Sequence, residues 1–535
     1  MADNTAVDAS AAWAPEQWFE FLVKRFDRKL KDKRNAVTAH TPKTRRERLD
    51  LAWSYYIGDP PLPNVQEKYR ETFREILRKA RNNYAAMSVD VMTDKSVLTG
   101  VLTDADADVD GDDIARQIGE ESGWEAMQRD LQTYMYLFGE AYALVIPPLA
   151  GVQGAMPMIT AENPRFALGI PDPTYPRRLK AFVKVFNDEI NDQQVGQLYV
   201  NSVQYEFRRD PGMYTNTFSS DEWTLTNQTS LANLDIFGGV PAVRFDNKFG
   251  LGEFEPNIDL LDRIMDGVLQ RIVIQWYQSF RQRAVKGDLQ GGADFSGPDE
   301  DLGSFIRRVA DTDVQDLFTA DPGALWLVPP DVDFWESGQA DLVPQLTAIR
   351  DDVKEFAAST RTPLHVITPD AANGSAEGAS LMRETLEDKV FDRQARMTAP
   401  WALTWKIAFT LAGQVNRIQG VKLLWKPISR DGIAAQAEAV AKTRGVVSRK
   451  RQVIKFMAFT PAEAKLNEAE LMQEQLAAQA FAIPTAVTGQ AGQPPQQVQD
   501  QRERQPAGQG SPQARDRQPG RAVGRASAGT AGQAA

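Results

Sequence analysis

The stretch DADADVDGDD at residues 104–113 concentrates carboxylates at the spacing that a calcium loop needs. Asp106, Asp108, Asp110 and Gly111 fit the first half of an EF-hand, where alternate oxygen donors surround the ion and a glycine allows the sharp turn. The second half departs from that pattern, because position twelve is Gln117 in place of a bidentate Glu and Asp113 stands where an apolar residue belongs. Asp106, Asp108 and Asp110 are therefore an incomplete metal set, and the simpler reading is a solvated acidic turn that caps a helix from Ile114. The two histidines, His40 and His365, lie far apart, and no G-x-S-x-G elbow accompanies either, which leaves no hydrolase triad to assemble. No G-x-x-x-x-G-K-[ST] loop is present to cradle a nucleotide, and no other cofactor motif appears. The basic runs KRFDRKLKDKR (24–34) and SRKRQVIK (448–455) could meet phosphate or an anionic surface. Interspersed acids and short helices make a solvated face or a subunit contact the plainer reading. Trp53-Ser54-Tyr55-Tyr56 ahead of Gly58-Asp59-Pro60-Pro61 reads as core aromatics before a turn rather than a base-stacking platform.

Composition narrows the classes further. The 535 residues carry 61 Lys and Arg against 72 Asp and Glu, a net charge of −11, with 42% hydrophobic content, enough for a sizeable core. Cysteine is absent, which excludes disulfides, cysteine-held zinc and thiol nucleophiles together and fits a reducing compartment. The first ten residues lack a cationic segment followed by an apolar one, so a secretory signal is not expected. No uncharged apolar run approaches the ~18 residues of a bilayer span, so a soluble protein without a membrane partner is expected. The acidic balance disfavours tight, sequence-independent binding to DNA, which rests on neutralising phosphates. Nucleic acid is either no partner or one that must not stick.

The elements that must position these residues follow from periodicity. Trp18, Phe19, Leu22, Phe26 and Leu30 form an amphipathic stripe, and further helices are predicted near 43–56, 64–81 and 122–138. Between 160 and 250 the alternating runs LKAFVKVF, QLYVNSVQYEF and EWTLTNQ predict a β-rich region. The class is α+β, predominantly α, with no repeat of fixed period. Toward the C-terminus, helices are predicted over 434–444 and 448–457, split at Gly445. The capping box Thr460-Pro461-Ala462-Glu463 opens another to about Phe481. From Pro484 onward Gln, Gly, Ala, Pro and Arg dominate, which predicts a disordered spacer or docking tail. Its six Arg against three acids leave about −14 for the rest.

Three long helices and one loop stand out. Ile258, Leu261, Met265, Val268, Ile272 and Trp276 recur at spacings of three and four between Pro256 and Lys286. That predicts a helix of ~30 residues and ~45 Å. Leu342, Leu346, Ile349, Val353 and Phe356 predict a second helix ending near Thr360, whose other faces carry Arg350, Asp351, Asp352, Lys354 and Glu355. Thr362 precedes Pro363, which disfavours the α conformation. A third helix starts after the cap Ser375 and carries Met382, Leu386, Val390, Met397, Trp401 and Trp405, with a bend predicted at Pro400. Between the second and third lies TPLHVITPDAANGS, small, polar and punctuated by Pro and Gly.

The order of parts resembles the portal proteins of tailed bacteriophages, of siphovirus type. LDLAWSYYIGDPPLP (49–63), SVDVMTDKSVLTGV (88–101) and SGWEAMQRDLQTYMYLFGEAYALV (122–145) resemble their N-terminal half. DPGALWLVPPDVDFWE (321–336), the helix ending TRTPLH, and EGASLMRETLEDKV follow in the order of the second half. The resemblance spans roughly 45–480. It implies a ring, twelve subunits in the virion, at one capsid vertex through which duplex DNA enters and leaves. It implies a wing over 41–254 with its β-rich part at 160–250, stem helices at 255–286 and 337–361, and a clip at 287–336. It further implies a tunnel loop at 362–376, a wing spine helix and strand at 377–431 and crown helices at 432–481, beside an N-terminal arm (1–40) and the tail (482–535). Thr362, Pro363, His365, Asn373, Gly374 and Ser375 would then approach the DNA, and Arg350, Asp351, Lys354 and Glu355 would form the polar stem face. The implied partners are duplex DNA without sequence preference, the major capsid protein, the large terminase subunit and a head-tail adaptor. The implied location is the virion, reached by assembly in the host cytoplasm. No enzymatic activity is implied. The rival readings are another minor head or adaptor protein of a phage, and a metal-dependent nuclease built on the 104–113 carboxylates.

Overall fold

Three of the helices start where a cap or a proline satisfies the first turn: Pro15 opens one, Thr44 accepts from the Glu47 amide at another, and Asp112 accepts from Ile114 and Ala115 at a third. The computed structural model describes residues 13–30, 42–62, 74–105, 111–149, 151–210, 222–231, 234–279, 283–286, 333–336, 341–367, 376–428, 433–457, 459 and 461–481. Within these, the helices are α1 (Pro15–Phe26), α2 (Arg45–Tyr56), α3 (Arg74–Lys79), α4 (Tyr84–Lys95), α5 (Asp113–Glu121), α6 (Trp124–Phe138), α7 (Ile258–Ser279), α8 (Val343–Thr360), α9 (Leu364–Ile367), α10 (Ala376–Leu411), α11 (Ile433–Lys442), α12 (Arg449–Phe456) and α13 (Pro461–Phe481). The strands are β1 (Leu98–Leu102), β2 (Glu140–Ile146), β3 (Met158–Glu162), β4 (Ala167–Pro171), β5 (Leu179–Asp188), β6 (Gln193–Val200), β7 (Val203–Arg209), β8 (Thr224–Ser230), β9 (Ala242–Asp246), β10 (Arg283–Lys286), β11 (Asp333–Glu336) and β12 (Lys422–Trp425). Helices and strands are thus mixed, as composition and periodicity predict. The expected tail and the Thr460 cap lie outside the described residues. Residues 474–535 separate as a second unit, described only in the last turns of α13.

Strands β4 to β8 form an antiparallel meander in chain order. Asn201 and Ser202, with φ of 51° and 61°, make the two-residue turn between β6 and β7 that brings Val200 opposite Val203. Helix α1 lies on this sheet. Trp18, Phe19, Leu22, Val23 and Phe26 bury against Leu168, Ala181, Val183, Val185, Leu198 and Phe207, a core separate from the main one. Phe19 stacks on Phe207 at 4.1 Å and meets Trp223 edge-on at 5.0 Å. Gly196 in β6 makes room, since a Cβ there would come within 2.4 Å of the Phe19 ring. Within the segment expected as an N-terminal arm (1–40), α1 carries one side of a hydrophobic core.

The main core forms around β2, whose run EAYALVI is buried except at its last residue, the pattern of a strand covered on both faces. β3 and β9 flank it antiparallel, and α6 and α10 lie against this sheet. Helix α6 passes into β2 through Gly139, whose φ of 81° and approach to the Gly250 carbonyl admit no side chain. Helix α10 runs through Pro400 for 36 residues and buries Leu386, Val390, Met397, Trp401 and Trp405. β12 pairs with β1, Leu98 opposite Trp425, and so ties the segment after α10 to the N-terminal half.

Helix α7 is shorter than its periodicity predicts. It covers 22 residues from Ile258, preceded by a 3₁₀ turn, and the expected continuation to Lys286 is replaced by β10, paired with β11 so that Arg283 faces Glu336. Residues RAVK satisfy their backbone in a ladder, and only a partner strand 47 residues or more away makes that preferable to helix.

Phe19→Ala should cost about 3–5 kcal/mol, the usual loss for a buried Phe in a tight site. Denaturant unfolding of the purified protein measures it. A loss below ~1 kcal/mol would mean that α1 does not hold the sheet.

Candidate functional site

The exposed polar face, the helix pair and the loop meet at the C-terminal end of α8. Helix α8 lies against α7, where Gly267 lets Ile349 approach so closely that a Cβ would stand 3.0 Å from its Cγ1. Val353 and Phe356 of α8 bury with Leu261 and Ile264 of α7. Arg350, Asp351, Lys354 and Glu355 are exposed on the other side. Lys354 reaches Asp351 at 2.9 Å, while Arg263 of α7 bridges Asp352 at 2.9 Å and also holds Glu355. Exposed pairs of this kind contribute little stability, so the face is polar by composition rather than locked by it.

The ends of the pair are held from behind by a buried ion cluster. Glu253, a few residues before α7, pairs with Lys389 at 2.8 Å and Arg393 at 2.7 Å, both on α10. Its amide donates to the Tyr136 carbonyl at 2.7 Å, and Asn247 donates to its Oε1 at 3.0 Å. Lys389 also donates to the carbonyl of Thr360, the last residue of α8, at 2.7 Å, which places a cation at the negative end of that helix. One carboxylate and one ammonium thus fasten the start of α7 and the finish of α8 to a single helix. Burial opposes ionisation of Glu253, but Lys389 and Arg393 outweigh it and hold the carboxyl below its ordinary value. Burial, with Arg393 and Arg361 adding to it, draws the Lys389 ammonium below its own usual value despite Glu253.

After Thr360 the chain turns at Arg361, which takes the left-handed conformation (φ 54°) usual for glycine, and the Thr362 amide donates to the Ala357 carbonyl at 2.8 Å. Thr362 and Pro363 differ from the loop expectation: both are buried, with the Thr362 hydroxyl 3.0 Å from that of Thr360. The Thr362 amide belongs to the cap of α8, while the Pro363 carbonyl accepts from the Val366 amide at 2.9 Å at the start of the next helix. Residues 364–367 then form α9, with His365 exposed and Ile367 in the main core. Asn373, Gly374 and Ser375 lie outside the described residues, as do Asp106, Asp108, Asp110 and His40. Of the acidic run, Asp104, Asp112 and Asp113 are described: Asp104 and Asp113 are exposed, and Asp112 is buried as the cap of α5, accepting from Thr103 at 2.6 Å and paired with Arg417. Among the described residues no group of three or more His, Asp or Glu is disposed to hold a metal, and no helix is long and apolar enough to cross a membrane.

Glu253, Lys389 and Arg393 escape the periodicity argument. One signal was available: Lys389 and Arg393 sit four apart among Leu386, Val390 and Met397, on the face of α10 that the apolar stripe marks as buried.

A family described as "Phage portal protein, SPP1 Gp6-like" matches residues 37–480 of the chain. No curated protein sequence matches it. Among solved structures the chain is similar to a component of the neck of a native GTA particle computed with C12 symmetry, at 11% identity and a TM-score of 0.39, over 76% of this chain and 98% of that one. It is also similar to one from the neck of an empty GTA particle computed with C6 symmetry, at 12% identity and a TM-score of 0.38, over 73% and 94% of the respective chains.

Removing Glu253 should strand two buried cations. Glu253→Ala is expected to destabilise the protein by about 3–5 kcal/mol in thermal or denaturant unfolding. Because the folded carboxyl lies below its unfolded value, the folded state binds fewer protons and gains stability as pH rises through that window. That contribution is full above the unfolded value of about 4.3 and is lost as pH falls toward the folded one. The acid limb of a Tm-against-pH curve should therefore be shallower in Glu253→Gln than in the wild type, and parallel limbs would contradict the assignment.

Proposed function

We propose a channel function from one premise: the chain belongs to the SPP1 Gp6-like family of phage portal proteins. It is a portal protein, and the match over residues 37–480 is the observation that carries this. On that reading copies of the chain close into a ring, twelve in the virion, at one vertex of the capsid, and duplex DNA passes through the ring during packaging and ejection. A closed ring needs each copy to present two different surfaces to its neighbours.

In this assignment α7 and α8 are the stem, within 255–286 and 337–361, and the exposed residues Arg350, Asp351, Lys354 and Glu355 form its polar face. Residues 287–336, with β10 and β11 pairing near its two ends, are the clip. Residues 41–254, helical at first and β-rich at 160–250, with α1 from the 1–40 arm packed on the meander, are the wing. Helix α10 and β12 (377–431) are the spine, helices α11 to α13 (432–481) the crown, and 482–535 the tail. The loop of 362–376 projects into the bore, and since Thr362 and Pro363 are buried, its reach begins at His365 and includes Asn373, Gly374 and Ser375.

The physical argument is one of avoidance. A loop at the narrowest point must pass every sequence and hold no phosphate, which favours small uncharged residues over bulk or positive charge. The net charge of −11 points the same way. The partners in this reading are the major capsid protein, the large terminase subunit during packaging and a head-tail adaptor afterwards. The place of action is the virion, after assembly in the host cytoplasm. The family is structural, and no catalytic role is assigned.

Two outcomes test this. Inserting two bulky residues between Asn373 and Gly374 should leave rings assembled and reduce DNA packaging, and unchanged packaging would remove the loop from the bore. The isolated protein should bind linear duplex weakly, with affinity falling steeply with salt as scattered phosphate contacts are screened. A nanomolar complex insensitive to salt would contradict it.

A further inference from the structure

The last turn of α1 and the first turn of α2 meet at a cleft of about 300 Å³, floored by Leu168 to Pro171 of β4. Backbone bonds set its mouth: the Leu30 amide donates to Lys43 O, and the Arg45 amide to Arg28 O, both at 3.0 Å. Six cationic side chains line it, Arg25, Arg28, Lys29, Arg45, Arg48 and Arg244, against the single carboxylate of Glu140.

Three of the six are matched. Arg45 holds Glu140 through Nη2 at 2.7 Å, Arg48 pairs with Glu255 at 2.6 Å, and Arg244 lies 2.8 Å from Asp246 and 3.1 Å from the second oxygen of Glu140. This buried cluster holds the Glu140 carboxyl, against the cost of its burial, down to about 2. The other three, Arg25, Arg28 and Lys29, have no carboxylate partner among the described residues. Arg25 is only seated against the Phe21 ring, its Cζ 4.4 Å from the centroid. Burial, and then the adjacent Arg28, draw the Arg25 guanidinium below its ordinary value, as a site short of negative charge would.

A second, independent observation lies deeper. Arg45 is 9% exposed and its Nη1 is buried without a hydrogen-bond partner, although its other nitrogens are used by Glu140 and the Pro164 carbonyl. A buried guanidinium N–H is costly to leave unpaired.

We infer that this cleft binds a phosphate group. Three unmatched cations exceed what one carboxylate could neutralise, whereas a phosphate monoester carries nearly two charges and presents several oxygens to guanidinium forks. Arg28 and Lys29 stand exposed at the rim and draw the anion in, while Arg25 and Arg45 line the recess beneath. The ligand is either a free phosphate or phosphate ester, or a phosphate of a nucleic-acid backbone.

The test titrates the full-length protein, exchanged into chloride buffer, with inorganic phosphate at constant ionic strength by calorimetry. Saturable binding is expected in the wild type. Arg28→Ala/Lys29→Ala, which alters exposed side chains only and should keep the unliganded Tm, is expected to lose about tenfold or more in affinity. Arg45→Lys, which keeps the charge but not the fork, should also weaken binding. A short duplex that displaces phosphate assigns the source to nucleic acid, and one that does not assigns it to a free phosphate or ester. Heats no different from those of added chloride, or equal affinity in Arg28→Ala/Lys29→Ala, would overturn the site.

Discussion

The carboxylate of Glu253 between Lys389 and Arg393 is the constraint on which the helix pair depends. An ion cluster this deeply buried adds little net stability over an apolar substitute, because desolvation consumes the Coulombic gain. Its value is positional. Charged groups at 2.7–2.8 Å tolerate no slippage, so the start of α7, the finish of α8 and the middle of α10 share one register, and the Thr360 carbonyl is capped in the same act. An apolar contact in the same place would allow the three helices to slide.

From that point the mechanical chain runs in both directions. Toward the core, α10 continues into the tryptophan cluster, where Trp124 lies 5.0 Å from both Trp401 and Trp405, and Phe245 of β9 meets Trp401 at 4.9 Å. Toward the surface, α8 carries its polar face out from a buried seam, and the loop that follows starts from a cap rather than from free chain. The finish of α8 is thus the end of a rigid lever whose base is the main core. Interfaces of packed helices move between discrete arrangements rather than bending continuously, so a load on the end of α8 would be felt at Glu253 before it reached the sheet.

Much of this was legible locally. The four-three spacing of Leu346, Ile349, Val353 and Phe356 marks α8, and the alternation of LKAFVKVF and QLYVNSVQYEF marks the meander. The parts that were not legible are pairings across long separations. Whether Arg283–Lys286 is helix or strand depends on a partner at 333–336, and periodicity alone extends the helix through it. Thr362 and Pro363 look like loop, yet both are buried, Thr362 with its amide in the cap of α8. Glu253 lies 140 residues from Arg393, and Arg45 lies 95 from Glu140, distances over which sequence spacing carries no geometric information. The ordered combination of weak motifs, by contrast, carried the family where no single one could.

Electron microscopy of the purified chain measures the central claim most directly, at a resolution that places helices. The account predicts closed annular particles whose axial opening is lined by α8, with Arg350, Asp351, Lys354 and Glu355 turned toward it. Single compact monomers, or rings in which α8 faces the outer surface, would contradict it.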